Sequence, residues 1–244
     1  MLDIIKAEHL KMKHTLGAFL PVIASFTVML LALFLTGGIE KAFPTGAWNW
    51  WYTMFLPGML AIISYLSIKK DKKTRYYQIL LLPIHLEKSW LGKIGYCILG
   101  LVFSNFLILI GTYVGGAIFG TNISLWGGVS AALLLCITYL WEIPLFLFLS
   151  ARFGMFASIF ASMALSIIGT VTLPDSSYWW VYPPSIPIRL MCPVLGILPN
   201  GIPMSIDSQL YNTNVIIPGI CLSLIWFLLI SLYTTVWFKK KRGA

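Results

Sequence analysis

Six stretches of this chain, 18–36, 51–68, 94–119, 127–149, 153–173 and 215–238, are apolar over 18 residues or more. Crossing about 30 Å of hydrocarbon takes about 20 such residues in a helix. A backbone in lipid must also satisfy its own hydrogen bonds, so runs of this kind fold as spanning helices. The expectation is an all-α polytopic membrane protein, one domain over residues 1–244, with six transmembrane helices. Composition agrees: 59% of residues are hydrophobic and 10% charged, against about 25% charged in soluble chains. The net charge of +9 is therefore read as membrane topology, with no nucleic-acid partner.

The basic residues are distributed unevenly between the loops. Residues 1–17, the 69–93 loop, the Arg152 turn and the C-terminal tail hold 15 of the 17 Lys and Arg; Lys41 and Arg189 lie in the alternate loops. Lys/Arg-rich connections stay in the cytoplasm, so both termini and the 69–93 loop are assigned to that side. The polar start with Asp3 and Glu8 is expected to leave the first span uncleaved. Residues 1–17 place Leu2, Ile5, His9, Met12 and Leu16 on one helical stripe, an interfacial helix flanked by snorkelling Lys6 and Lys13.

Residues 69–93, KKDKKTRYYQILLLPIHLEKSWLGK, form a polar island with a short apolar patch ended by Pro83. A loop that merely joined two helices would not need that patch. It reads as a piece docking either to the membrane surface, to which each nearby Lys adds about 1 kcal/mol, or to a soluble protein. The other large loop, 174–214, holds seven of the 13 prolines. It opens on Tyr178, Trp179, Trp180 and Tyr182, suited to the bilayer interface. Its apolar run 186–198 is Pro-broken and too short to span, hence interfacial or re-entrant.

Catalytic signatures are missing. The sequence holds no Walker phosphate loop, no H-E-x-x-H and no G-x-S-x-G, so the expectation is a non-enzymatic chain that binds no metal or nucleotide. The four cysteines have no C-x-x-C spacing, and the three histidines, His9, His14 and His85, are scattered. One acid, Glu142, falls inside a span, two residues before Pro144. Intramembrane acids normally face a partner or water. Glu142 either lines a translocation path, or meets a cationic group of another subunit, or is an acid held by polar neighbours for stability.

The island resembles ABC-2-type transporter permeases, which carry an acid, basics and Thr after the second span, a short apolar helix, a Pro, and a Gly-Lys opening the third span. The corresponding residues here are Asp71-Lys72-Lys73-Thr74, the run from Tyr77 to Leu82, Pro83, and Gly92-Lys93. Length, the NWWYTMFLPG start of the second span and SWLGKI resemble the permeases of lantibiotic-immunity transporters, the E-type more than the G-type. The resemblance implies a membrane subunit that expels cationic antimicrobial peptides from the plasma membrane of a Gram-positive bacterium. Two copies of a separate ATPase would supply ATP and Mg, beside a second related six-span permease. It also implies that residues 74–82 are the coupling helix. Tyr76, Tyr77, Leu80 and Leu81 would then contact the ATPase, Pro83 would stop the helix, and Glu87 and Lys88 would orient it. Trp179, Trp180 and Tyr182 would either stack on the peptide or anchor the interface. The rival expectations are an ABC-2 exporter of a drug, lipid or polysaccharide, and an ion-coupled secondary carrier centred on Glu142.

Overall fold

Thr15 ends one helix and starts the next. Its hydroxyl donates to the Met12 carbonyl at 2.8 Å and accepts from the Gly17 amide at 3.3 Å, which caps the following helix. The N-terminal 17 residues are thus split: α1 is Leu2–Met12 and α2 is Leu16–Thr36. The computed structural model describes residues 1–37, 41–74, 76, 85–171, 174–205 and 207–240. Within these the chain is all-helical, with no β-strand.

Pro21 sits inside α2 and cannot donate to the carbonyl one turn earlier. That carbonyl, of Gly17, instead accepts a hydrogen bond from the Tyr96 hydroxyl at 3.3 Å. Gly37 ends α2 in the left-handed conformation, as C-terminal caps commonly do. The next helix runs over Ala42–Lys73, as α3 (Ala42–Trp50), a π-helical turn at Trp51–Phe55, and α4 (Leu56–Lys73). In that turn the Trp51 indole donates to Asn105 Oδ1 at 2.9 Å, wholly inside the protein.

Asn105 belongs to α5 (Leu86–Phe119). The expected fourth span is bent by 44° between α6 (Leu125–Thr138) and α7 (Glu142–Arg152). Pro144 explains the break. It cannot bond to Leu140, whose carbonyl is taken by the Ile143 amide at 3.2 Å. The Tyr139 hydroxyl then donates to the Tyr52 carbonyl, tying this break to the π turn. A tight turn at Phe153 and Gly154, with Ser150 and Ser158 hydroxyls 2.8 Å apart, leads into α8 (Met155–Val171). After the aromatic segment come α9 (Ser185–Leu195), buried from Ser185 to Cys192, and α10 (Ile216–Lys239).

Among the described residues, four helices are long and apolar enough to cross a membrane: Leu16–Thr36, Ala42–Lys73, Leu86–Phe119 and Thr213–Lys239. The bent pair, counted as one span, makes a fifth. The chain is a membrane protein. The expected fifth span, 153–173, is represented by α8, an apolar helix of 17 residues. The outer faces carry Phe19, Phe26, Phe34, Phe160, Ile167 and Leu228 exposed, a surface that suits lipid and not water. The interior packs Trp48, Trp51, Leu60, Trp90, Leu101, Leu135 and Phe146 without contact with solvent.

Helix α1 keeps part of the expected stripe inward. Met12 is buried and Ile5 lies over Gly95, whereas Leu2, His9 and Leu16 are exposed, and Glu8, off the stripe, is buried. Lys6 and Lys13 are exposed. The inward face is shifted toward Ile4 and Glu8 because α5 offers it a seat made for close contacts. Ile4 lies over Gly92 and Ile5 over Gly95, so closely that a Cβ on either glycine would stand 2.5 and 2.7 Å from them.

Candidate functional site

The inward face of α1 carries charge into the protein. Glu8 and Lys11 of α1, Asp71 near the end of α4 and Lys93 in the first turns of α5 form a closed ring of alternating sign. Lys11 meets Glu8 at 3.2 Å and Asp71 at 2.6 Å, and Lys93 meets Glu8 at 2.9 Å. The fourth side is the Asp71–Lys93 ion pair. Each ammonium therefore touches both carboxylates, and the ring is neutral. Lys93 is 0% exposed and Asp71 2%. Lys93 also donates to the Ser67 carbonyl at 3.3 Å, and Lys70 to the Lys11 carbonyl at 2.5 Å. Lys11 lies at the edge of the ring; burial first, then the Lys93 ammonium, lower its pKa from the ordinary lysine value. Charges removed from water survive only when paired in good geometry with their remaining valences met, and this ring meets that condition.

Thr74 and Tyr76 of the polar island are tied to this ring. The Asp71 backbone carbonyl accepts from the Thr74 hydroxyl at 3.1 Å and from the Tyr76 amide at 2.7 Å. Tyr76 has a φ of +62°, a conformation that a bulky residue rarely adopts. Burial, and next the Asp71 carboxylate, push its hydroxyl up to about 12. Its ring stands edge-on to Phe238 of α10 at 5.8 Å. Phe238 in turn stacks on Trp90 at 4.6 Å, and the Trp90 indole donates to Thr234 Oγ1 at 3.1 Å. The return of the loop is seated as well, by buried Leu86 and Trp90.

These contacts bring the basic segments to one pole. Lys72 donates to the Ser150 carbonyl at 3.4 Å, next to the Arg152 turn, and Lys239 pairs with Glu87 at 2.6 Å. Helix α1, the described ends of the island, the Arg152 turn and Lys239 thus share one end of the bundle, in line with their charge pattern. Glu87 and Lys239 are both open to solvent, and Lys88 is exposed. Tyr77, Leu80, Leu81 and Pro83, expected as coupling residues with Tyr76, lie outside the described residues.

A second group lies at the helix break. Glu142 is 1% exposed, and its Oε2 has no hydrogen-bond partner among the described residues. The Trp141 indole nitrogen beside it is likewise buried and unpartnered there. The aromatic segment reaches toward this point. Tyr182 donates to the Leu165 carbonyl of α8 at 3.4 Å, and burial first, with the Glu142 carboxylate second, raises its pKa. Trp179 is half-buried against the core, while Trp180 is 49% exposed. Arg189, expected as an outer-loop charge, is 6% exposed within α9 and donates to the Leu210 carbonyl at 2.8 Å. Among the described residues no cluster of His, Cys, Asp and Glu suits a metal ion.

The structure brings Tyr76 into line with Asp71 and Lys93, and Tyr182 toward Glu142, and keeps these two groups apart in different parts of the bundle. Glu8 and Lys11 were missed as site residues. The available signal was their fall on one face with Ile4 and Met12, opposite a helix bearing Gly92, Lys93 and Gly95. No protein-family model, curated protein or solved structure matches the chain.

Proposed function

We propose that this chain is the membrane permease subunit of an ATP-driven exporter that removes lantibiotic-type cationic antimicrobial peptides from the cell membrane. In this reading the bent pair and α8 complete six spans, and the basic pole faces the cytoplasm with both termini. A separate ATPase, two copies per complex, drives the cycle, and a second related permease completes it. The observation that carries the reading is how the described ends of the island, Asp71 to Thr74 with Tyr76, and Leu86 to Trp90, are held. An exposed loop held only by lipid would need no such seat, whereas a segment that receives force needs one. Here its entry hangs from the Asp71 carbonyl above a buried charge ring, and its exit is anchored by Leu86 and Trp90. Tyr76, Tyr77, Leu80 and Leu81 contact the ATPase, Pro83 stops the segment, and Glu87 and Lys88 set its orientation. Trp180 offers an exposed indole for an amphipathic peptide lying in the outer leaflet.

The test is purification of the tagged chain in mild detergent from its own cells, with identification of stoichiometric partners. An ATP-binding subunit and a second permease are expected, together with peptide protection that requires ATP hydrolysis. A chain that emerges alone under conditions preserving membrane complexes would contradict the proposal. If the complex forms but protection is absent, the exporter carries another substrate, such as a drug, lipid or polysaccharide.

One observation favours a second reading. Glu142, buried with an oxygen unpartnered among the described residues, lies where a helix is broken, and broken helices supply ion sites in secondary carriers. An ion-coupled carrier predicts transport by the chain alone in vesicles, driven by a proton or sodium gradient.

A further inference from the structure

The exporter reading assigns the drive to residues after Asp71 and leaves the N-terminal helix with no part in it. We infer that α1 is a clamp on the take-off of that segment: Glu8 and Lys11 are positioning residues that fix Asp71, and through it the point where the coupling segment leaves the membrane. Where export is concerned, this rests on the function proposed above.

A surface helix held by lipid would present its apolar side to the bilayer and its charges to water. Helix α1 does otherwise. Its charge goes inward: Glu8 is 7% exposed and lies against Lys93, and Lys11 reaches Asp71. The close fit of Ile4 and Ile5 over Gly92 and Gly95 sets the height of the helix, and the ring sets its register. Both partners of α1 in the ring also hold the island. Asp71 carries the Thr74 and Tyr76 hydrogen bonds on its own carbonyl, and Lys93 stands in the first turns of α5, the helix that begins at Leu86. Three links join α1 to Tyr76: the Asp71 carboxylate, its backbone carbonyl and the Tyr76 amide. Removing the Lys11 charge takes one ion pair from the buried Asp71 carboxylate, and removing the Glu8 charge leaves Lys93 to Asp71 alone. In either case Asp71 repositions or admits water, and the hold on the Tyr76 amide loosens.

The test uses the full chain with its partners. Amide exchange over residues 71–76 is followed by mass spectrometry in lipid nanodiscs for wild type, Glu8→Gln, Lys11→Met and Lys11→Arg, with residues 101–112 as an internal reference. Peptide protection and co-purifying ATPase are measured on the same variants. Glu8→Gln and Lys11→Met are expected to speed exchange at 71–76 at least tenfold with the reference unchanged. They should also reduce protection at least tenfold while the ATPase stays bound. Lys11→Arg, which keeps the charge at the open edge of the ring, is expected to remain within threefold of wild type in both. Unchanged exchange at 71–76 in both loss variants would overturn the clamp, whatever the protein transports. Faster exchange with full protection would overturn its role in export. A wild-type chain that binds no ATPase would remove the exporter reading and that role with it, while the exchange result would still decide whether α1 holds the take-off.

Discussion

Glu8 and Lys93, 85 positions apart in sequence, meet at 2.9 Å inside the protein. The contact joins a helix that hydropathy assigns to the membrane surface with the opening of a span. Lys93 has no exposed surface and depends on Glu8 and Asp71 together. Lys93→Met should therefore destabilise the detergent-solubilised protein by about 3–5 kcal/mol, the range found when one partner of a buried pair is removed. Lys239→Met breaks a pair that is open on both sides and should leave unfolding nearly unchanged, since exposed ion pairs contribute little. Thermal unfolding of the two variants side by side checks the contrast. Equal, small shifts would show that the ring contributes little.

Two glycines under α1 should differ in their tolerance of a methyl group. At Gly92 the clash is with Ile4 Cγ2 at 2.5 Å, on a β-branched side chain whose Cβ and backbone also lie close. At Gly95 it is with the tip of Ile5, which can swing away. Gly92→Ala should lose about 1–3 kcal/mol, as overpacked cores do, and Gly95→Ala clearly less. Adding Ile4→Ala to Gly92→Ala should recover part of the loss, measured again by thermal unfolding. No recovery would place the strain somewhere other than the α1 seat.

Much of the architecture was legible because lipid leaves few choices. Long apolar runs became long helices, and the tally of Lys and Arg gathered four segments at one pole. The ring was not legible for a physical reason. Hydropathy treats Asp71 and Lys93 as members of a solvated island, and only the three-dimensional fit of α1 on Gly92 and Gly95 shows that they are sealed from water. The stripe read on α1 caught Ile5 and Met12 but not Glu8, because an acid turned inward is visible only with its partner Lys93 in place. The break before Glu142 had its cause in the sequence, in Pro144. Its coincidence with the π turn at Trp51–Phe55 depends on the Tyr139–Tyr52 contact, which no local pattern announces.

Glu142 separates stability from transport. Its Oε2 lacks a partner among the described residues, so Glu142→Gln removes the acid without removing a bond to that oxygen. Leaving buried groups unpaired is the costly event. Thermal stability should therefore stay within about 1 kcal/mol of wild type or rise, while transport falls if the acid lines the path. A variant that is less stable yet transports normally would mark Glu142 as a structural acid.

The two tryptophans of the aromatic segment should part company. Trp179 packs against the core, and Trp179→Ala should lose stability in the range of about 3–5 kcal/mol or somewhat less for its partial burial. Trp180 is 49% exposed, so Trp180→Ala should leave unfolding nearly unchanged and reduce peptide protection. Protection that is indifferent to Trp180 would assign that indole to the membrane interface.

The central claim is that the island pushes against a motor and does not rest on lipid. A photo-crosslinking amino acid at position 80, installed in the full chain in its own cells, tests this most directly. The account predicts an adduct with an ATP-binding subunit, reduced when Tyr76 is replaced by Ala, because Tyr76 starts the segment on Phe238. Adducts with phospholipid alone, unaffected at Tyr76, would contradict it.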